Sequence, residues 1–199
     1  DYRKADNNPV ITGDMMPTGF SREDFRDPKI WREEDGYYLL AGNKTDEGIP
    51  QVVLFHSDNL EDWQYVSVLA KDLDGKLGTM WECPDFFSLN GEYGLLISPQ
   101  NMMAGNEFHN GNNVAFLSGK YDKKRHIFQY DKAISVDEGL DFYAPQTLEM
   151  PDGRRIMIGW MQSWDSNIRP ENQKWSGMMS LPRELQIIDC LLYTSPSPR

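Results

Sequence analysis

Three prolines, Pro28, Pro84 and Pro145, each stand seven or eight residues ahead of a turn glycine, Gly36, Gly91 or Gly153. Around each pair the same succession of short apolar runs recurs. Lys29 to Arg32 leads through Asp35-Gly36 into Tyr37 to Gly42, then Gln51 to His56 and Trp63 to Leu69. Cys83 to Leu89 leads through Asn90-Gly91 into Glu92 to Ser98, then Asn113 to Gly119 and His126 to Tyr130. Ala144 to Leu148 leads through Asp152-Gly153 into Arg155 to Met161. Short runs rich in aromatic and β-branched residues, separated by Gly, Asp and Asn turns, predict antiparallel hairpins. A four-stranded meander repeated every 55 to 60 residues or so is the pattern of propeller blades. The expected fold is therefore all-β, with about three blades of four antiparallel strands over residues 1–189.

In a propeller the first strand of each blade lines the central channel, and here that strand is entered through the proline. Residues just ahead of the three prolines should then gather at one mouth of the channel. They are Arg26-Asp27, Glu82-Cys83 and the run Asp141-Phe142-Tyr143-Ala144. Three carboxylates, Asp27, Glu82 and Asp141, are expected to converge although 55 and 59 residues separate them.

Glu82 lies in Met80-Trp81-Glu82-Cys83-Pro84-Asp85-Phe86-Phe87, between a bulky aromatic and an apolar strand. Desolvation by Trp81 and the phenylalanines would disfavour the charged form, which suits a general acid near neutral pH. Each residue also has a plainer reading. A glutamate beside a packed tryptophan is common on an edge strand, and aspartate before proline, as at Asp27, is a frequent turn. Asp141 stands in the acidic run Asp137 to Asp141, the composition of an exposed loop. Trp160 and Trp164 read as core or blade-packing residues more readily than as ligand platforms.

The remaining composition narrows the partners. A net charge of −11 disfavours nucleic acid, whose phosphates need clustered Lys and Arg. No window approaches the roughly 18 apolar residues of a membrane-spanning helix. Two cysteines and three scattered histidines make neither a disulfide framework nor a metal-ligand pattern. The expectations are no cofactor, no metal, no nucleic acid or membrane partner, a neutral or compact polar ligand, and a cytoplasmic rather than secreted setting.

Four ordered segments carry a family resemblance. Phe25-Arg26-Asp27-Pro28-Lys29, Trp81-Glu82-Cys83-Pro84-Asp85, Asp141-Phe142-Tyr143-Ala144-Pro145-Gln146-Thr147 and Gly153 to Met161 resemble glycoside hydrolase family 32, over residues 7 to 188 or so. These are the retaining β-fructofuranosidases: invertases, sucrose-6-phosphate hydrolases, inulinases and levanases. The resemblance implies a five-bladed propeller, a small carbohydrate substrate, Glu82 as acid/base and Asp27 as the carboxylate that holds fructosyl hydroxyls. Arg26 and Asp141 would add substrate contacts, Trp81, Tyr143 and Trp160 would form walls, and Cys83 would pack against Glu82 without reacting. A retaining glycosidase also needs a carboxylate nucleophile. The family supplies it from an Asn-Asp-Pro-Asn-Gly type motif, which this sequence lacks. Asp6-Asn7-Asn8-Pro9 is similar on its surface, but Asn8-Pro9-Val10-Ile11 resembles the family's connector into the second blade.

The expected content is thus blades two to four, with the nucleophile outside the chain and no turnover by the chain alone. Residues 190–199 resemble a translated sequencing adapter and are expected to be non-native. An arabinoside-acting propeller glycosidase and a non-enzymatic carbohydrate-binding propeller are the alternative readings.

Overall fold

The computed structural model describes residues 3–139, 141–164, 171–189 and 191–194. A single 3-10 turn, Gly13–Met15, precedes twelve strands in three antiparallel sheets among the described residues. The first sheet holds β1 (Phe20–Glu33), β2 (Gly36–Thr45), β3 (Pro50–Ser57) and β4 (Gln64–Lys71) in sequence order. The second holds β5 (Met80–Leu89), β6 (Glu92–Gln100), β7 (Ala115–Asp122) and β8 (Ile127–Ser135). The third holds β9 (Tyr143–Glu149), β10 (Arg155–Trp160), β11 (Arg183–Ile188) and β12 (Leu191–Thr194). This is a partial propeller of three four-stranded blades, as the repeat predicts.

Why the middle strands are uninterrupted apolar runs follows from how the sheets stack. Successive side chains on a strand point to opposite faces, and here both faces are covered. Leu95, Ile97, Ala115 and Leu117 pack toward Leu40, Val52, Leu54 and Leu69 of the first sheet. The intervening Leu96, Val114 and Phe116 pack toward Phe142, Tyr143, Met157 and Leu185 of the third. The first sheet's other face, Leu39, Ala41, Val53 and Phe55, is covered by Val10, Ile11, Met15 and Met16 from the N-terminal segment.

The innermost strands depart from the sequence reading in an informative way. β1 begins at Phe20, nine residues before Lys29, and β5 begins at Met80, so Arg26, Asp27 and Glu82 lie inside strands rather than ahead of them. Proline lacks an N–H and is tolerated only at sheet edges and bulges. Each inner strand is an edge strand, and the pairing of β1 and β5 slips at the proline, between Arg26 and Lys29 and between Glu82 and Asp85. The residue just before each proline has a left-handed backbone: Asp27 at φ 59°, Cys83 at 46° and Ala144 at 51°. For residues other than glycine that conformation costs about 1–3 kcal/mol and persists only where surroundings enforce it.

One enforcing contact spans all three blades. Lys29 Nζ donates to Asp85 Oδ2 at 3.2 Å, to the Thr147 carbonyl at 2.8 Å and to Gln146 Oε1 at 3.2 Å. The Thr147 N–H donates to the same Asp85 oxygen at 2.6 Å. Asp85 is 1% exposed, so removing Lys29 would strand a buried charge. In the third sheet, Leu191–Thr194 from the stretch that resembles an adapter pairs with β11 at the outer edge. A ladder needs only backbone donors and acceptors, so any extended segment could occupy that edge. Cys190 and residues 195–199 of that stretch lie outside the described residues.

The first two sheets approach closely at Gly42 on β2, where an added methyl would run into the Trp81 backbone carbonyl on β5. Gly42→Ala is expected to destabilise the chain by about 1–3 kcal/mol in urea unfolding. Gly105→Ala, whose methyl meets open space, should stay within about 0.5 kcal/mol of the parent.

Candidate active site

Counting from the prolines brings the site into register. Arg26, Glu82 and Tyr143 each stand two residues ahead of their proline, on β1, β5 and β9. Equivalent slots of adjacent blades face each other across the seams, and these three side chains meet. Arg26 Nε donates to Glu82 Oε1 at 2.8 Å, and the Tyr143 hydroxyl donates to Glu82 Oε2 at 2.8 Å. Glu82 is 8% exposed, with each carboxylate oxygen held by a different neighbouring blade.

The slot one residue later repeats the logic. The Cys83 N–H donates to Asp27 Oδ2 at 3.0 Å, and the Cys83 Sγ lies 3.6 Å from the same oxygen. The left-handed turn at Cys83 aims its amide at the Asp27 carboxylate, which gives the strained backbone a function in the site. On the third blade, Gln146 Nε2 donates to the Cys83 carbonyl at 3.1 Å. Burial, then the Asp27 charge, push the Cys83 thiol up to about 12. Both effects disfavour the thiolate form of Cys83.

Arg26 pairs with Glu82 and Asp24, not with its neighbour Asp27. Its Nη1 lies 3.1 Å from Asp24 Oδ1, and Lys44 Nζ lies 2.8 Å from Asp24 Oδ2. The hydrogen bond from Lys44 holds the Asp24 carboxyl below its ordinary range, against burial and with help from Arg26. Burial works against the Arg26 charge, but Glu82 and Asp24 outweigh it and raise its pKa. The two cations and two carboxylates form an alternating line, Lys44, Asp24, Arg26, Glu82, that leads into the site.

Two of the expected substrate walls are not surfaces at all. Trp81 is 0% exposed and donates its indole N–H to the Leu77 carbonyl at 2.9 Å. As the neighbour of Glu82 on a strand it points to the opposite face, into the core between the first two sheets. Tyr143 is 1% exposed and meets Glu82 rather than solvent. Asp141 is half-buried two residues ahead of Tyr143, outside the strand, so the residue that shares Glu82's slot is the tyrosine. Trp160 is half-buried at the end of β10, with its ring 5.6 Å from that of Trp164 at 70°.

Trp164, read from the sequence as packing, is 64% exposed and brings its indole N–H within 3.4 Å of Glu82 Oε2. It forms an open aromatic face beside the carboxylate. Among the described residues no group of three or more His, Cys, Asp or Glu side chains is arranged to hold a metal ion. The arrangement holds one carboxylate, Glu82, between hydrogen-bond donors from two neighbouring blades and presents a second, Asp27, beside it.

The signature described as the glycosyl hydrolases family 32 N-terminal domain matches residues 1–196. The chain belongs to glycoside hydrolase family 32. Among relatives of this family 32 chain, a sucrose-6-phosphate hydrolase from Escherichia coli is 41% identical over 162 residues, covering 81% of the chain and 34% of the relative. A solved family 32 β-fructofuranosidase from Bombyx mori superposes with a TM-score of 0.88 at 37% identity, covering 98% of the chain and 41% of that protein. A mutant of the Bombyx enzyme in complex with sucrose also superposes with a TM-score of 0.88, at 36% identity over 98% of the chain and 41% of that protein. The chain spans about a third of the length of the first curated relatives it matches.

The raised thiol pKa leads to a direct expectation. With Cys190 replaced by serine, Cys83 should react with a thiol reagent at pH 8 about 100-fold or more slowly than an unperturbed thiol. Asp27→Asn removes a charge that opposes the thiolate, so labelling should speed up. An unchanged rate in that variant would show that Asp27 does not set the reactivity of Cys83.

Proposed function

We propose that this chain carries the proton-transfer and fructosyl-binding side of a β-fructofuranosidase site, acting on sucrose, sucrose 6-phosphate or fructans by a retaining mechanism. The observation that carries the reading is Glu82, a nearly buried carboxylate gripped on one oxygen by Arg26 and on the other by Tyr143, with Asp27 in the next slot. The family membership and the sucrose complex of the Bombyx relative support it.

The chemistry assigns the roles. Breaking the bond between fructosyl carbon and glycosidic oxygen leaves an alkoxide unless a proton arrives as the bond stretches. Glu82, protonated, supplies that proton, and its carboxylate then takes one from the incoming water. Asp27 binds rather than attacks: the Cys83 amide fixes one of its oxygens, and the other is offered to ring hydroxyls. Trp164 provides an apolar face for the C–H side of the sugar. Attack on the anomeric carbon falls to a carboxylate beyond these residues.

In an active enzyme carrying this chain, Glu82→Gln should lower sucrose turnover by about 10²–10⁴-fold. A fructoside whose leaving group needs no proton should still form the fructosyl enzyme. Equal sucrose activity in variant and parent would remove Glu82 from the acid role. The purified 199-residue chain should release no measurable fructose from sucrose, and measured release would show that it holds its own nucleophile.

A further inference from the structure

Three groups hydrogen-bond the Glu82 carboxylate among the described residues, and they are not chemically alike. The Arg26 guanidinium and the Trp164 indole have hydrogens to give and no lone pair to accept with. Tyr143 is amphiprotic. Its hydroxyl lies 2.8 Å from Glu82 Oε2 and 3.0 Å from the Ser98 carbonyl, so one hydrogen faces two acceptors. Only one of these bonds can be donated at a time.

We propose that the Tyr143 hydroxyl reverses its hydrogen bond each time Glu82 gains or loses its proton, using the Ser98 carbonyl as the alternate acceptor. The inference rests on the reading of Glu82 as acid/base. With Glu82 ionised, the Tyr143 O–H donates to Oε2. Arg26 holds Oε1 at 2.8 Å, whereas the donor-only Trp164 indole reaches Oε2 at only 3.4 Å, so a proton arriving on Glu82 is accommodated on Oε2. The new carboxyl O–H then points at the Tyr143 oxygen, whose own hydrogen turns to Ser98. No O–H bond of the tyrosine breaks in either direction. Burial and the Glu82 carboxylate push the phenol far above its ordinary value, which keeps that hydrogen in place.

The surroundings favour this reversal over a simple ion pair. Glu82 faces Arg26 from β1, with Asp24 and Lys44 behind it; Cys83 and Asp27 lie beside it, Tyr143 comes from β9 and Trp164 from beyond β10. Arg26 stabilises the ionised form alone. A donor-only cage would leave the protonated carboxyl hydrogen without an acceptor in a nearly dry site. For transfer, the carboxyl O–H turns from the Tyr143 oxygen to the leaving oxygen; as the proton passes, the tyrosine hydroxyl swings back from Ser98 and supplies a hydrogen bond to the developing carboxylate. Ser98 is held for this: its Oγ accepts the Ala144 N–H at 3.1 Å, and its residue pairs with Glu82 across β5 and β6. Tyr143 is thus a positioning residue that serves both states of Glu82.

The test uses the 199-residue chain with ¹³C at tyrosine Cζ, serine carbonyl and glutamate Cδ, followed by NMR as pH is lowered. The Tyr143 Cζ and Ser98 carbonyl resonances should move together with Glu82 Cδ at one midpoint, and both should be stationary in Glu82→Gln. If Tyr143 moves while the Ser98 carbonyl stays fixed, the hydroxyl is a one-way donor and the proposal fails; it also fails if neither moves. The wild-type coincidence decides even where the variant does not fold. Turnover is not needed for this readout, so its failure is distinct from a failure of Glu82 as the acid. In an active enzyme carrying the chain, Tyr143→Phe should cut kcat on sucrose about 10- to 100-fold with KM within about twofold. An unchanged kcat would overturn the role.

Discussion

The fold and the site both depend on one backbone constraint: a left-handed residue locked in front of a proline on the inner edge strand of each sheet. That geometry is unfavourable for aspartate, cysteine and alanine alike, yet it occurs at Asp27, Cys83 and Ala144. It interrupts the ladder where the strand meets the channel and turns consecutive side chains toward the neighbouring sheets. Without the slip between Glu82 and Asp85, Glu82 and Asp85 would sit three regular strand positions apart, and alternation alone would send them to opposite faces. With it, Glu82 reaches Arg26 and Tyr143, and Asp85 reaches Lys29 and Thr147.

Those two levels divide the labour. The contact of Lys29 with buried Asp85 and Thr147 clamps three strands from three sheets. A buried ion pair contributes little net stability against its desolvation cost, but it penalises any arrangement that separates the partners. The upper level, in the slots ahead of the prolines, brings Arg26, Glu82 and Tyr143 together. Here the charge line from Lys44 through Arg26 fixes the orientation of Glu82, while burial and the Asp27 charge disfavour the thiolate of Cys83 beside it.

Much of this was legible in the residues, and the misses have physical causes. Proline and glycine spacing placed the three sheets, because turns and edge prolines are local chemistry. The true start of β1 was hidden, since a proline at a bulge reads like a strand boundary. Asp141 was aligned with Glu82 because both are acidic, whereas counting from the proline selects Tyr143. Trp81 could have been excluded from the pocket by parity alone, being adjacent to Glu82 on a strand. Trp164 left no such signal: it sits 82 residues from Glu82 in an irregular segment after β10, where no period constrains direction.

No sheet owns the site. Among the described residues, every hydrogen bond that the Glu82 carboxylate receives crosses a seam between sheets or comes from beyond one, and none of its side-chain partners belongs to its own blade. The carboxylate therefore behaves as a gauge of the distance between blades. A small parting of the seams, too slight to open the apolar layers between sheets, would already loosen its two short bonds and change what its proton sees.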